Sequence, residues 1–403
     1  MPELATVRAS LPRRPASLAA GLVAAAVGGC AAPGPTRSAH RELVEASAGG
    51  ARVGVVPPGG ADAPPPQAGR LLRPDEIFEI LDASPIQYRL VDDETVAGSP
   101  LAALVELILP ASQPVDPFVE VFHEGPEGQP RIRSARPPDA IAEVFERAGQ
   151  AFEAQDYELA RALWSRAASL APDYFKTYTF LGNSLHHLGD YVRAEEAFLR
   201  ALELNPFDYQ ALLFLGDTYH QLGDYGRAKA VLSRAFMLNR GNEAVVERLK
   251  ASLAKLSLQI RGPRLAPKIR IAEEGPRQVT LRLDAGEGTR WLSLAACLAC
   301  WTHEERCSAR APADEDPLRL GMYRECLLNQ AASVAVRRER AEPIGRDEAA
   351  LLGAVEDGYL DALIFWEVIA EVAPPIILLL PEGLQEDILR YIEKYVFAST
   401  MVI

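Results

Sequence analysis

One pattern limits this chain more than any other: identical residues return every 34 positions across residues 141–242. Asp156, Asp190 and Asp224 align, and so do Tyr157, Tyr191 and Tyr225. The same step relates Ala160, Ala194 and Ala228, then Arg166, Arg200 and Arg234, then Ala167, Ala201 and Ala235. Leu170, Leu204 and Leu238 close the set. A fixed period of this size means one supersecondary unit repeated side by side. Each unit has an apolar face it cannot bury alone, so neighbours must stack. Within a unit the apolar residues recur at three- and four-residue steps, which is helical spacing. Gly-Asp-Tyr at 189–191 and 223–225 divides a unit into two helices. Residues 242–259 continue as one more amphipathic helix, suited to closing the open end.

The pattern resembles the tetratricopeptide repeat. Small residues stand where that repeat needs close helix crossings: Gly182 and Gly216, Ala194 and Ala228, then Ala167, Ala201 and Ala235. The large residue of the second helix is Trp164, Phe198 and Leu232, and the closing proline is Pro172 and Pro206, with Arg240 departing. In the first unit Arg147 and Ala148 replace Leu-Gly. The resemblance implies a mainly α solenoid of three helical hairpins plus a capping helix over 137–260. It also implies a concave groove lined by the first helix of each unit. The groove positions are Lys176, Thr179, Asn183, His186 and His187, then Gln210, Leu213, Asp217 and His220. By family analogy Asn183 hydrogen-bonds an extended peptide, so a protein or peptide partner is expected. A full carboxylate clamp is not, because Lys176 is the only lysine in the set and Asp217 repels carboxylates. Solvated polar lining is the plain alternative. His186, His220 and Asp217 are of ligand type for zinc, so a metal stays open at this point.

Before the repeats, Arg13 and Arg14 precede an apolar run from Ala16 to Val27, too short to span a bilayer comfortably. Val27-Gly28-Gly29-Cys30 comes next and resembles a bacterial lipobox. That resemblance implies a signal peptide over 1–30, cleavage before Cys30, and lipid on its thiol. Ala31 is not Asp, which by the same analogy favours the outer membrane facing the periplasm. Residues 31–69 are rich in Pro, Gly and Ala and read as a tether. Residues 70–136 read as a small α+β unit. It has a helix from Pro74-Asp75-Glu76, a strand at 118–122 and a return strand at 131–133.

The remainder, 261–403, reads as an α+β, mostly helical domain. Lys268–Ile271 and Gln278–Leu283 alternate around a turn and form a hairpin. Helices are expected at 289–306, 317–337, 346–370 (with a break at Gly358) and 383–397. The apolar stretch 363–381 contains Glu367, Glu371 and Pro374-Pro375. Carboxylates are costly in lipid, so a buried helix followed by a buried strand is expected there.

This part also holds Cys297, Cys300, Cys307 and Cys326. Cys297-x-x-Cys300 is followed by Trp301, which excludes haem attachment. It falls inside a helix, unlike a thioredoxin-type centre at a helix start. In an oxidising compartment two disulfides are expected, with a four-thiolate zinc site or buried free thiols as alternatives. The pairing is not readable from the spacing.

The formal net charge is -13, which opposes a phosphate backbone and argues against nucleic acid. No phosphate loop, dinucleotide fingerprint, nucleophile elbow or metalloprotease motif is present, so no cofactor or catalytic residue is expected. The reading is a lipid-anchored scaffold or adaptor of the bacterial cell envelope. Its contact with the membrane is through the anchor alone. The competing reading is an enzyme or ligand-binding protein acting through 261–403.

Overall fold

In the computed structural model, residues 71–96, 101, 103–105, 115–123, 130–261, 265–310, 316 and 318–400 are described. The stretches expected to be a signal segment (1–30, with Cys30) and a tether (31–69) lie outside them. Three helical hairpins succeed one another: α2 (Ala142–Glu153) with α3 (Tyr157–Leu170), α4 (Phe175–His187) with α5 (Tyr191–Leu204), and α6 (Tyr209–Gln221) with α7 (Tyr225–Leu238). Helix α1 (Pro74–Asp82) precedes them and α8 (Glu243–Lys255) caps them.

The repeated residues explain the hairpins. Each aligned aspartate caps a second helix. Asp156 accepts from the Leu159 amide (3.1 Å), Asp190 from Arg193 (3.3 Å) and Asp224 from Arg227 (3.0 Å). The turn before each cap needs a left-handed residue. Gly189 (φ 77°) and Gly223 (φ 76°) supply it, but the first hairpin uses Gln155 (φ 61°). Small residues then set the helix separation. A Cβ on Gly182 would lie 2.7 Å from the Phe198 ring, and one on Gly216 2.4 Å from Leu232. Ala160, Ala194 and Ala228 are fully buried at the crossings.

The same aligned leucine meets different surroundings along the stack. Leu170 is 51% exposed and Leu238 is 1% exposed. The difference is made by the C-terminal body, which packs on α7 through residues 374–379 and the last helix. That body contains α9 (Leu292–His303), α10 (Leu320–Glu339), α11 (Arg346–Glu356), α12 (360–372) and α13 (Glu382–Tyr391). Phe236 of α7 meets the Trp366 ring edge-on at 5.2 Å. The helix through 360–372 contains a π turn over Ile364–Ile369. Arg240, the residue that departs from the closing proline, donates to the Trp366 carbonyl inside that π turn at 2.5 Å. Its guanidinium also lies 4.5 Å from the Trp366 ring centroid. A proline at 240 has no such donor.

The sheet shows where the N-terminal residues belong. Strand β1 (Gln87–Asp93) runs parallel to β6 (Gln278–Asp284), which pairs antiparallel with β5 (Ile269–Gly275). Buried Glu325 of α10 accepts from the Leu72 amide (3.0 Å), Trp301 Nε1 (3.0 Å) and Arg310 Nη1 (2.7 Å). Ser84 and Tyr88 both donate to Glu304. Residues 71–96 are therefore part of the C-terminal body. Within the small α+β unit expected over 70–136, β1 joins a distant sheet, whose edge the hairpin 269–284 leaves open. The other half of that segment, β2 (Val119–His123) with β3 (Pro130–Ser134), forms an antiparallel hairpin against the repeats. The end of the capping helix is tied in likewise, since β4 (Leu258–Ile260) pairs with β7 (Phe397–Ser399). The strand expected after Pro374-Pro375 is instead a 3-10 helix, Pro374–Leu379. Two adjacent prolines lack the amide donors a ladder requires. Among the described residues no helix is long and apolar enough to cross a membrane.

These contacts make opposite predictions for two small substitutions. Gly216→Ala forces a methyl into Leu232 and should lower unfolding free energy by about 1–3 kcal/mol. Gln155→Gly relieves a left-handed side chain and should raise it by about 1 kcal/mol. Urea titrations of the two variants, followed by circular dichroism, check both signs.

Candidate functional site

The expected groove positions divide into two groups. At the start of α4, Lys176 and Thr179 are fully buried. Lys176 Nζ donates to Asp208 Oδ1 (2.8 Å) and Gln210 Oε1 (2.9 Å), and Thr179 Oγ1 donates to Asp208 Oδ2 (2.5 Å). Asp208 in turn caps α6 through the Gln210 and Ala211 amides. Burial pulls the Lys176 ammonium down and the Asp208 carboxylate opposes that shift. Both partners of this pair are out of water, so removing either one strands a buried charge. The chain itself covers this end. The Phe118 ring lies 5.3 Å from Lys176 Nζ and 6.4 Å from the Phe180 ring. Asn205 Nδ2 donates to the Val119 carbonyl at 2.8 Å, and the Tyr174 hydroxyl donates to the Ala135 carbonyl at 3.0 Å. The expectation that all nine positions line an open groove is therefore corrected. Lys176, Thr179, Asn183 and Leu213 are buried. At Lys176 the cover is residues 116–118 of this chain.

The other end keeps solvent contact. His186, Asp217 and His220 are half-buried and His187 is exposed there, while Gln210 is half-buried at the Lys176 end. The repeat is visible in their bonding. His186 Nδ1 meets Thr218 Oγ1 at 2.9 Å, and 34 residues later His220 Nδ1 meets Ser252 Oγ at 3.0 Å. His187 stacks on Tyr157 at 4.5 Å. Asp217 Oδ1 pairs with Arg248 Nε at 3.0 Å. Burial raises the Asp217 carboxyl, and Arg248 and His220 partly offset it. His186, Asp217 and His220 are thus committed to different neighbours. Among the described residues no three His, Cys, Asp or Glu side chains are placed to hold a metal ion. The contributions of Asp208, Arg248 and Phe118 were not readable from the sequence. Ser252 was passed over as well, although it stands one period beyond Thr218.

The tetratricopeptide family models match residues 145–209 and 185–253. Residues 145–253 are tetratricopeptide repeats. Solved structures with similar folds are tetratricopeptide proteins of varied origin. The tetratricopeptide domain of Arabidopsis OM64 is 19% identical, with 28% of this chain and 94% of that one covered, at a TM-score of 0.28. That of Sgt2 from Aspergillus fumigatus is 22% identical, covering 31% and 83% at 0.29. The Yersinia enterocolitica type III secretion chaperone SycD, solved with a peptide of the translocator YopD, is 17% identical, covering 30% and 96% at 0.28. No curated protein matches the chain.

Beyond the tetratricopeptide array, the four cysteines of the C-terminal body are joined as Cys297–Cys326 and Cys300–Cys307. All four are fully buried. Cys297 and Cys300 sit one turn apart on α9, so one helix is fastened both to α10 and to the turn Glu305–Ser308. Loop-closure entropy ranks the two. The 29-residue separation of Cys297–Cys326 corresponds to about 3.6 kcal/mol and the 7-residue separation of Cys300–Cys307 to about 2.4 kcal/mol. Replacing each pair by alanines should therefore cost more at 297/326 than at 300/307, as read by thermal unfolding of the two double variants.

A second prediction concerns pH. Burial, then the charges of His187 and Arg248, pull the His186 imidazole down from 6.5 to about 4. The folded state therefore refuses a proton that the unfolded chain accepts. Stability from this group is complete above pH 6.5 and is lost as pH falls toward 4, with a slope of at most about 1.4 kcal/mol per pH unit. His186→Gln cannot titrate and should flatten the urea midpoint against pH between 6.5 and 4.

Proposed function

We propose that this protein is an adaptor of the bacterial cell envelope, held to a membrane by lipid on Cys30, that binds a protein or peptide through its repeat array. The observation that carries the binding role is the contrast between the two ends of the concave positions. One end is closed by the chain's own residues. The other keeps a row of polar side chains in contact with solvent on successive first helices: His186, His187, Asp217 and His220. Asn183, buried at 9% exposure, lies one turn before His186 and His187 on the same helix. An extended peptide presents alternating donors and acceptors, and amide, imidazole and carboxylate groups complement both. The repeated His-to-hydroxyl bonds hold the rings in fixed orientations, which lowers the ordering cost of binding.

The anchoring role rests on the lipobox-like Val27–Cys30 and the Pro/Gly/Ala-rich stretch behind it. Such a stretch lets a folded body stand off from a membrane surface. The buried disulfides agree with export to an oxidising compartment.

Crosslinking of the full chain in native envelopes, with identification of the captured partner, tests the binding role. Asn183→Ala combined with His187→Ala should reduce partner recovery at least tenfold while leaving the thermal midpoint nearly unchanged. Equal recovery from both proteins would contradict a role for this end of the groove. Intact mass of the membrane-extracted protein tests the anchor. A mature chain starting at acylated Cys30 is expected, and an intact Met1 would refute it.

A further inference from the structure

The residues that close the Lys176 end are bound there the way a ligand is bound. They come from 115–119, outside the repeats, and they cross the first turns of α4 and α6. Asp116 accepts from the Phe118 amide at 2.7 Å, and the Val119 amide donates to the Asp116 carbonyl at 3.0 Å. This turn presents Phe118 over the buried ammonium of Lys176, which also has the Phe175 ring at 5.2 Å. A desolvated cation among aromatic faces is a specific receptor for an aromatic side chain. The carboxylate of Asp116 adds charge attraction to Lys176. The array's Asn205 amide then takes a backbone carbonyl, as in recognition of an extended strand.

The occupant is anchored at its ends and open between them. Val115 and Val119 are buried in the core, whereas Asp116 is exposed and Pro117, Phe118, Val121 and Phe122 are half-buried. A pocket of about 560 Å³, open to solvent, lies where Val115, Asp116 and Pro117 face Tyr209, Asn239, Asn242 and Glu243.

We infer that Val115–Val119 is an internal ligand of the array, and that it holds a site for a partner segment of the same chemistry. That partner segment is extended and carries an acidic residue two places before an aromatic one. A β-branched residue comes directly after the aromatic. A larger side chain ahead of the acidic residue would fill the pocket. This rests on the proposed peptide-binding role of the repeats and extends it to the Lys176 end. Because the internal segment belongs to the same chain, it competes intramolecularly with any free peptide. A free partner therefore binds weakly until the segment is loosened.

The test uses the full chain and a fluorescein-labelled peptide copying residues 115–123 (Val-Asp-Pro-Phe-Val-Glu-Val-Phe-His). Fluorescence anisotropy should show at least tenfold tighter binding to the variant Asp116→Ala/Phe118→Ala than to the unaltered chain. A peptide with alanine in place of its Asp and first Phe should bind neither. Equal binding of the copying peptide to variant and unaltered chain, or binding to neither, overturns the inference. Hydrogen exchange on the unaltered chain gives a second reading that does not need the variant to fold. Amides of the β2–β3 ladder should exchange at least a hundredfold faster than those of α4 and α6. Equal protection of both would show a fixed structural hairpin and also overturns the inference. Asn183→Ala separates the two ideas, since it should weaken capture of the envelope partner and leave the 115–123 peptide unaffected.

Discussion

A stack of helical hairpins leaves an apolar face bare at each end, and the way this chain covers its second bare face organises everything else. The third hairpin does not meet water on that side. It meets the capping helix α8 and, along α7, the C-terminal body, and one continuous apolar cluster runs from α4 through α8 into α9–α13. The first hairpin has a separate cluster around Trp164 and Phe145. The first hairpin thus keeps its own core, while the third shares one with the C-terminal body. Terminal repeats commonly differ from internal ones for this reason.

The repeats were legible because their physics is local and periodic. An aspartate cap, a left-handed glycine and a small residue at each crossing act within one unit, so they return at the same spacing. The capping helix and most of the C-terminal helices were readable from apolar spacing in the same way. Long-range choices were not. Nothing in Gln87–Asp93 says that it will join a strand nearly two hundred residues away, because strand pairing leaves no mark of its partner. The burial of Lys176 was hidden for the same reason: its cover comes from Phe118, far outside the repeat.

Some signals were present and easy to pass over. The run Ala235-Phe236-Met237-Leu238 is more apolar than its counterparts Ala167-Ala168-Ser169-Leu170 and Ala201-Leu202-Glu203-Leu204. Two faces of α7 are buried where α3 has one, and the excess marks the seat of the C-terminal body. Arg240 carries the same message. At a place where the two earlier units have proline, a long donor reaches the Trp366 carbonyl inside the π turn. A departure from the repeat at the last unit is thus a docking residue for the C-terminal body. At the candidate site, the divided groove comes from this arrangement. The hairpin β2–β3 reaches residues 374–379 as well as the array, so the body and the repeats together hold it over Lys176.

The shared core is open to a direct measurement. Pulse deuterium labelling in rising urea, read by mass spectrometry on the intact oxidised protein, reports protection helix by helix. One apolar cluster requires α6–α8 and α9–α13 to lose protection at the same urea concentration. Separate midpoints, with the third hairpin opening while α9–α13 stay closed, would contradict it.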